Sequence, residues 1–514
     1  MRRYLSVGVV VAVVLAAGVV PSFGTPSPPA EPPGSASPDP LAEFHAQRPT
    51  WKPCKQTLEC AEVVLPLDYL RPTGERISMV ISRSKATEPA RRRGVLVVNP
   101  GGPGGSGLSM PTYLAKTEVA RAYDIIGFDP RGVGRSTALN CRTIPSIASA
   151  DTRPRDDEFP KWAAEARAAE DACREAAGGI RPFVNTPNTA RDMDIVRAVL
   201  REEKINYLGY SYGTYLGAVY GSLFPQRLDR SVLDSAVHPE WIWREQFRAQ
   251  AIALRRNVEA WAGWVAGHHA RYGLGATAEE VLVTLEGVAE DLAAKPAGVQ
   301  ARTDFDAAMG VGARYRPLWA QTAESVVRLR AGEPAEATAP MARSAERDLV
   351  SGVFITVICE ADWPTDLDTY YEDMRVFRDR YPYGFGVARA APTNCTFRSF
   401  TPPEAPVQLR RDGYPVGVVV QAEGDTQTHY ESGPAMAERL RHNLVTVVDE
   451  GRHGIYGTGN ACVNRLVDRY LLDGLLPSSS STCPGEARPD PAAAASPQHV
   501  QTYLDELALG PVRL

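Results

Sequence analysis

Residues 205–224 read INYLGYSYGTYLGAVYGSLF. A β-branched and aromatic run enters the pentapeptide Gly209-Tyr210-Ser211-Tyr212-Gly213 and leaves it as an apolar helical pattern. Few folds accommodate that order. A strand that turns straight into a helix brings two backbones nearly into contact, and the glycines flanking the serine allow that approach. The plain reading is a glycine-softened turn before a helix. The chemical reading is a strained elbow with Ser211 as a nucleophile at its tip. The pentapeptide alone does not choose between them, so its context must.

The context is strand and helix in alternation. Short β-branched runs recur, each ended by glycine, proline or aspartate: ISMVIS (77–82), GVLVVNPGG (94–102), YDIIGFDPRG (123–132), SVLDSAV (231–237), VGVVVQAEGD (416–425) and LVTVVDEGRHG (444–454). Several are apolar at consecutive positions, as strands covered on both faces of a parallel sheet are. Between them, TARDMDIVRAVLREEK (189–204) carries a helical stripe through Met193, Val196 and Val199, with Asn188 or Thr189 as its cap. The alternation predicts an α/β fold with a mostly parallel sheet. From about His238 to Val350 the rhythm stops. WIWREQFRAQAIALRRNVEAWAGWVAG (241–267) reads as helix throughout, and the block predicts a helical cap inserted over the strand ends. The expected organisation is a first core segment at 41–237, the cap at 238–364, a second core segment at 365–485, and a tail at 486–514 with a short helix near 498–508.

The termini and cysteines set the compartment. Arg2 and Arg3 precede an apolar run from Leu5 to Val20, and Ser22 and Gly24 suit a cleavage site. This is the layout of a signal peptide over 1–24; sixteen positions fall short of the roughly 20 that span a bilayer. A Pro-, Ser- and Ala-rich linker at 25–40 follows. The eight cysteines, Cys54, Cys60, Cys141, Cys173, Cys359, Cys395, Cys462 and Cys483, all lie in the exported part. An even count there predicts four disulfides, and nearest-neighbour pairing along the chain is the expected connectivity. Zinc would want close Cys-x-x-Cys or Cys/His clusters, which are absent. The expected location is outside the cell or at its wall, with no stable membrane anchor after signal removal. A formal net charge of -5 and no long basic run exclude nucleic acid as a partner.

An α/β sheet carries its chemistry at the carboxyl ends of its strands, where Ser211 stands. A serine hydroxyl needs a positioned base. Of eight histidines, His453 in DEGRHGIYG follows the last predicted strand within a glycine-bounded loop; His429 is second choice. The acid that orients the imidazole is assigned to Asp425, at the end of VGVVVQAEGD, with Asp234 as runner-up and hydrogen bonding in a strand-end turn as its plainer role. An oxyanion needs two backbone donors, one at Tyr212 and one from the loop NPGGPGGSG (99–107), which lacks the Lys-Ser/Thr ending of a phosphate loop.

Together, NPGGPGGSG, DIIGFDPRGVGRS, GYSYGTYLG, AEGDTQT and GRHGIYGTGNACV resemble the secreted tripeptidyl aminopeptidases of actinomycetes, in the proline iminopeptidase-like branch of the α/β-hydrolases. The resemblance runs from about residue 45 to 485. It implies an α/β-hydrolase fold and a serine exopeptidase that removes short peptides, often tripeptides, from free N-termini. It implies no cofactor and no metal. By motif, Ser211, Asp425 and His453 become the triad and Gly102 with Tyr212 the oxyanion hole. Thr428 matches a threonine that positions the active-site loop. Pro100 stands where proline iminopeptidases carry histidine, which favours tripeptidyl over single-proline release. Glu360 and Asp362 in CEADWP are candidates for binding the substrate ammonium, or are ordinary solvated carboxylates beside a disulfide. A secreted carboxylesterase or lactonase on the same fold and a single-residue iminopeptidase remain the alternatives. Aspartate-nucleophile chemistry is excluded by Ser211 at the elbow.

Overall fold

The computed structural model describes residues 39–55, 58–139, 141, 151–295, 298–333 and 352–492. The proposed signal peptide, most of the linker and the helix expected near 498–508 lie outside them.

Among the described residues one sheet of ten strands organises the fold: β1 (Lys52–Lys55), β2 (Leu58–Pro66), β3 (Arg76–Ser84), β4 (Val95–Asn99), β5 (Asp124–Phe128), β6 (Ile205–Tyr210), β7 (Leu228–Asp234), β8 (Val418–Ala422), β9 (Asn443–Val448) and β10 (Ser480–Pro484). Their order is β1-β2-β3-β5-β4-β6-β7-β8-β9-β10. Pairing is antiparallel from β1 to β5 and parallel from there to β10. Every residue of β4, β6 and β8 is buried, as their continuous apolar runs predict. The two-residue side-chain period then divides the core between the faces. Val97, Tyr207 and Val419 join one apolar cluster, while Leu96, Val98, Leu208, Val418 and Val420 join the other.

Among the described residues the helices of eight or more residues are α1 (Phe159–Ala177), α2 (Thr186–Val199), α3 (Tyr212–Leu223), α4 (Arg244–Ala266), α5 (Ala278–Ala293), α6 (Gly298–Arg314), α7 (Trp319–Arg330), α8 (Leu367–Arg380), α9 (Ser432–Leu440) and α10 (Ala461–Asp473). Helix α2 begins three residues before the predicted run. Asn185 caps it by accepting from the Asn188 N–H, and Pro187 occupies its first turn, where no intrahelical donor is needed. Helix α4 starts at Arg244, not Trp241.

The insertion between β7 and β8 is helical and holds α4 to α8. It has its own apolar core around Trp261, Leu285, Val288, Phe305 and Trp319. The segment expected to resume the core at 365 opens with α8, and β8 begins at Val418. Residues 151–183, assigned by sequence to the sheet domain, pack on the insertion. Arg302 pairs with Asp151 at 2.7 Å, Arg153 with Asp306 at 2.9 Å, and Arg378 with Asp156 at 2.7 Å. Phe159 of α1 lies with Met374, Val387 and Ala391. The four disulfides are Cys54–Cys60, Cys141–Cys173, Cys359–Cys395 and Cys462–Cys483, the nearest-neighbour pairing expected.

Candidate active site

Strand β6 ends at Tyr210 and α3 begins at Tyr212; between them Ser211 takes φ 56° and ψ -128°. Such a backbone costs a non-glycine residue about 1–3 kcal/mol and persists only where its surroundings impose it. Here the Ser211 N–H donates to the Asp234 carbonyl at 3.0 Å, and the Ser211 carbonyl accepts from the Thr214 N–H and hydroxyl at 2.9 and 2.6 Å. A Cβ at residue 209 would stand 2.3 Å from the Gly213 carbonyl oxygen, so the strand reaches the elbow only as glycine.

The glycine-rich loop after β4 lies against this turn. A Cβ on Gly101 would stand 2.8 Å from that of Ser211 and 3.2 Å from the Tyr212 nitrogen. Asn99 holds the loop by accepting the Gly101 N–H at 2.9 Å, and the Gly105 N–H closes back on the Gly101 carbonyl at 3.1 Å. The N–H groups of Gly102 and Tyr212 take no part in these bonds.

Across the sheet end, His453 Nδ1 and Asp425 Oδ2 are 2.7 Å apart. Asp425 is wholly buried. Its Oδ1 accepts from the Gln427 and Thr428 N–H groups at 2.8 and 3.1 Å, and its Oδ2 also accepts from the Thr428 hydroxyl at 2.8 Å. Burial pushes this carboxyl up, but the His453 ring, the Arg314 guanidinium and the Gln427 N–H hold it below the ordinary carboxylate range. Asp425 is therefore ionised at neutral pH. His453 Nε2 is buried and makes no hydrogen bond, to Ser211 or to any other described residue. Such gaps commonly tighten only when substrate binds.

The cap reaches into the acid loop. Gln246 and Gln250, one turn apart on α4, both donate to the Gln427 carbonyl, at 2.8 and 2.9 Å. Asn257 donates to the Gly424 carbonyl at 3.0 Å and accepts from Arg316 at 2.6 Å. His429, the second-choice base, instead meets Arg256 at 2.8 Å. The acid runner-up, Asp234, accepts backbone N–H groups from the histidine loop.

The two ammonium candidates separate. Asp362 is fully exposed, 3.7 Å from Arg398. Glu360 is buried, and its two oxygens accept the Thr186 N–H and hydroxyl, each at 2.8 Å. It terminates α2 from the cap rather than standing open. The 3₁₀ turn Ile358–Glu360 directs one carboxylate inward and leaves the next at the surface.

Residues 94–459 match the family described as alpha/beta hydrolase fold. The chain belongs to the α/β-hydrolase family. Within this family it is similar to the tripeptidyl aminopeptidase of Streptomyces lividans, 35% identical over 475 residues that cover 86% of this chain and 87% of that one. The serine protease Hip1 of Mycobacterium tuberculosis is 29% identical, covering 84% and 90% of the two chains. Carboxylesterase B of the same organism is 30% identical over 488 residues, covering 88% and 93%. This α/β-hydrolase is thus a serine hydrolase of the tripeptidyl aminopeptidase-like group. Sequence reasoning passed over Asn99, Ser235, Gln246, Gln250 and Arg314. Their only signal was proximity in sequence to a motif or, for the glutamines, a four-residue spacing within the cap.

Proposed function

We propose that this serine peptidase is an exported aminopeptidase that releases short peptides, tripeptides above all, from free N-termini. The observation that carries the chemistry is the 2.7 Å contact of Asp425 with His453 Nδ1, which leaves the opposite ring nitrogen buried and unpaired. In this reading Ser211 Oγ attacks the scissile carbonyl as His453 Nε2 takes its proton, and Asp425 stabilises the imidazolium. The Gly102 and Tyr212 N–H groups receive the developing oxyanion; one such donor is typically worth about 10² to 10³ in rate. His453 then returns the proton to the leaving amine, and water, activated by the same ring, hydrolyses the acyl-enzyme. Four disulfides support export to an oxidising compartment. Kinship with a tripeptidyl aminopeptidase supports the substrate class.

The test is mass spectrometry of the products from one unmodified peptide and its N-acetylated twin. Loss of three-residue steps from the free peptide alone is expected. Equal cleavage of both would contradict recognition of a free N-terminus. No cleavage of either, with turnover of a simple ester, would move the function to that of the carboxylesterase relative.

A further inference from the structure

The loop that carries His453 is rich in glycines at positive φ, with Gly454 at 78°, Gly457 at 85° and Gly459 at 101°. Such a segment has little intrinsic stiffness. Yet the three N–H groups that follow His453 are all captured, and by two adjacent residues. Ser235 Oγ accepts from Gly454 at 2.8 Å. The Asp234 carboxylate accepts from Ile455 at 2.9 Å and from Tyr456 at 2.7 Å. The backbone carbonyl of the same Asp234 accepts the Ser211 N–H at 3.0 Å. Asp234 and Ser235 are both completely buried, and the Ser235 N–H is anchored to Val420 of β8 at 2.8 Å. From the elbow side, the Tyr210 hydroxyl donates to the Tyr456 carbonyl at 3.0 Å, joined there by Tyr113 at 3.2 Å.

We propose that Asp234 and Ser235 are positioning residues of the reaction, a latch at the end of β7 that fixes the His453 loop to the Ser211 elbow. The inference rests on the triad proposed above. A turn needing only acceptors is served at lower cost by hydroxyl or amide side chains. A buried carboxylate that has no lysine or arginine among its hydrogen-bond partners is expensive unless its charge is used. The charge of Asp234 acts on His453, so it favours the imidazolium that forms when Ser211 loses its proton. Burial pushes the Asp234 carboxyl up to about 6, held from going higher by the Tyr456 and Ile455 N–H groups, the Ser235 hydroxyl and the His453 ring. The other titratable groups facing it are the phenols of Tyr113 and Tyr210. As pH falls through about 6, protonating Asp234 removes charge from the latch, and kcat/KM falls with it.

The experiment measures kcat, KM and the acid limb for a free-amine tripeptide anilide, together with the rate of labelling by an alkyl fluorophosphonate, in the full chain and its D234N and S235A variants. For D234N the expected result is a roughly 10- to 100-fold fall in kcat with KM within about twofold, because small misplacements of a catalytic group cost that much. Fluorophosphonate labelling slows by a similar factor, and the part of the acid limb near pH 6 disappears. Asparagine keeps the shape but not the charge. An unchanged kcat and an unchanged acid limb overturn the proposal. If D234N does not fold, S235A decides: it loses the Gly454 bond and the hydroxyl bond to Asp234 at 3.2 Å but keeps the carboxylate, and a kcat or labelling rate equal to wild type overturns the latch. Ser211→Ala separates the premise from the inference. Labelling that survives in that variant refutes the triad, whereas labelling lost there but unaffected in D234N and S235A refutes only the latch.

Discussion

Thr428 spends both its N–H and its hydroxyl on Asp425. Thr428→Val preserves shape and removes only the hydroxyl bond to Oδ2, the atom that also meets His453. Loss of a donor to the charged form raises a carboxyl pKa. The account predicts a roughly tenfold fall in kcat, read from steady-state kinetics, with the fold unchanged. Glu360 behaves oppositely. Burial, only partly offset by the Thr186 N–H and hydroxyl, pushes its carboxyl from 4.5 to about 7. The folded state then binds a proton the unfolded chain has released, so this residue's contribution is most favourable below about pH 4.5 and declines as pH rises to about 7. Glu360→Gln should remove that slope, which is on the order of 3 kcal/mol, in denaturant titrations across the range. Ser211, Asp425 and His453 could be selected from sequence because each sits in a glycine-marked turn after an apolar run. CEADWP offers Glu360 and Asp362 alike and says nothing of which carboxylate turns inward.

At the scale of elements, Gln246 and Gln250 share one carbonyl acceptor, so either bond alone keeps Gln427 satisfied. The single alanine variants are expected near wild-type activity and stability. The double variant should lose more than the sum, with a coupling of about 1 kcal/mol or more, because only it leaves the half-buried carbonyl without either cap donor. Strictly additive effects in a double-mutant cycle would show that the cap does not brace the acid loop through these residues. The strands that sequence revealed were those with continuous β-branched runs, from ISMVIS to LVTVV. The three it missed are at or near the sheet edges. KPCK is short and contains proline; LECAEVVLP mixes faces; and SSTCP is polar, paired to β9 and joined to α10 through Cys462–Cys483. Continuous apolar runs are lost where one side of a strand meets solvent.

At the scale of the molecule, a buried ion pair within 151–183 is tied by hydrogen bonds to a segment far along the chain. Arg181 and Glu170 are 2.8 Å apart with side chains 3% and 1% exposed, and Glu170 also accepts from Asn394 and Ser399 beyond α8. Arg181→Met would strand the Glu170 charge, and removing one partner of a buried pair typically costs about 3–5 kcal/mol. The prediction is a loss of that size in global stability by denaturant titration, with kcat of the remaining folded enzyme little changed. Helical composition marked where the cap begins, but its far boundary was not legible. The segment from α8 to β8 lacks strand signals yet includes no large compositional break, and 151–183 meets it through contacts distant in sequence, the charge pairs of Asp151, Arg153 and Asp156 and the apolar packing of Phe159.

The central claim is that Ser211, and no other residue, is the nucleophile activated by His453. Treating the purified protein with an alkyl fluorophosphonate and mapping the adduct by peptide mass spectrometry tests it most directly. The account predicts one adduct, on Ser211, formed at least about 10³-fold more slowly in His453→Ala. An adduct on another residue, or labelling of Ser211 at an undiminished rate in His453→Ala, would contradict it.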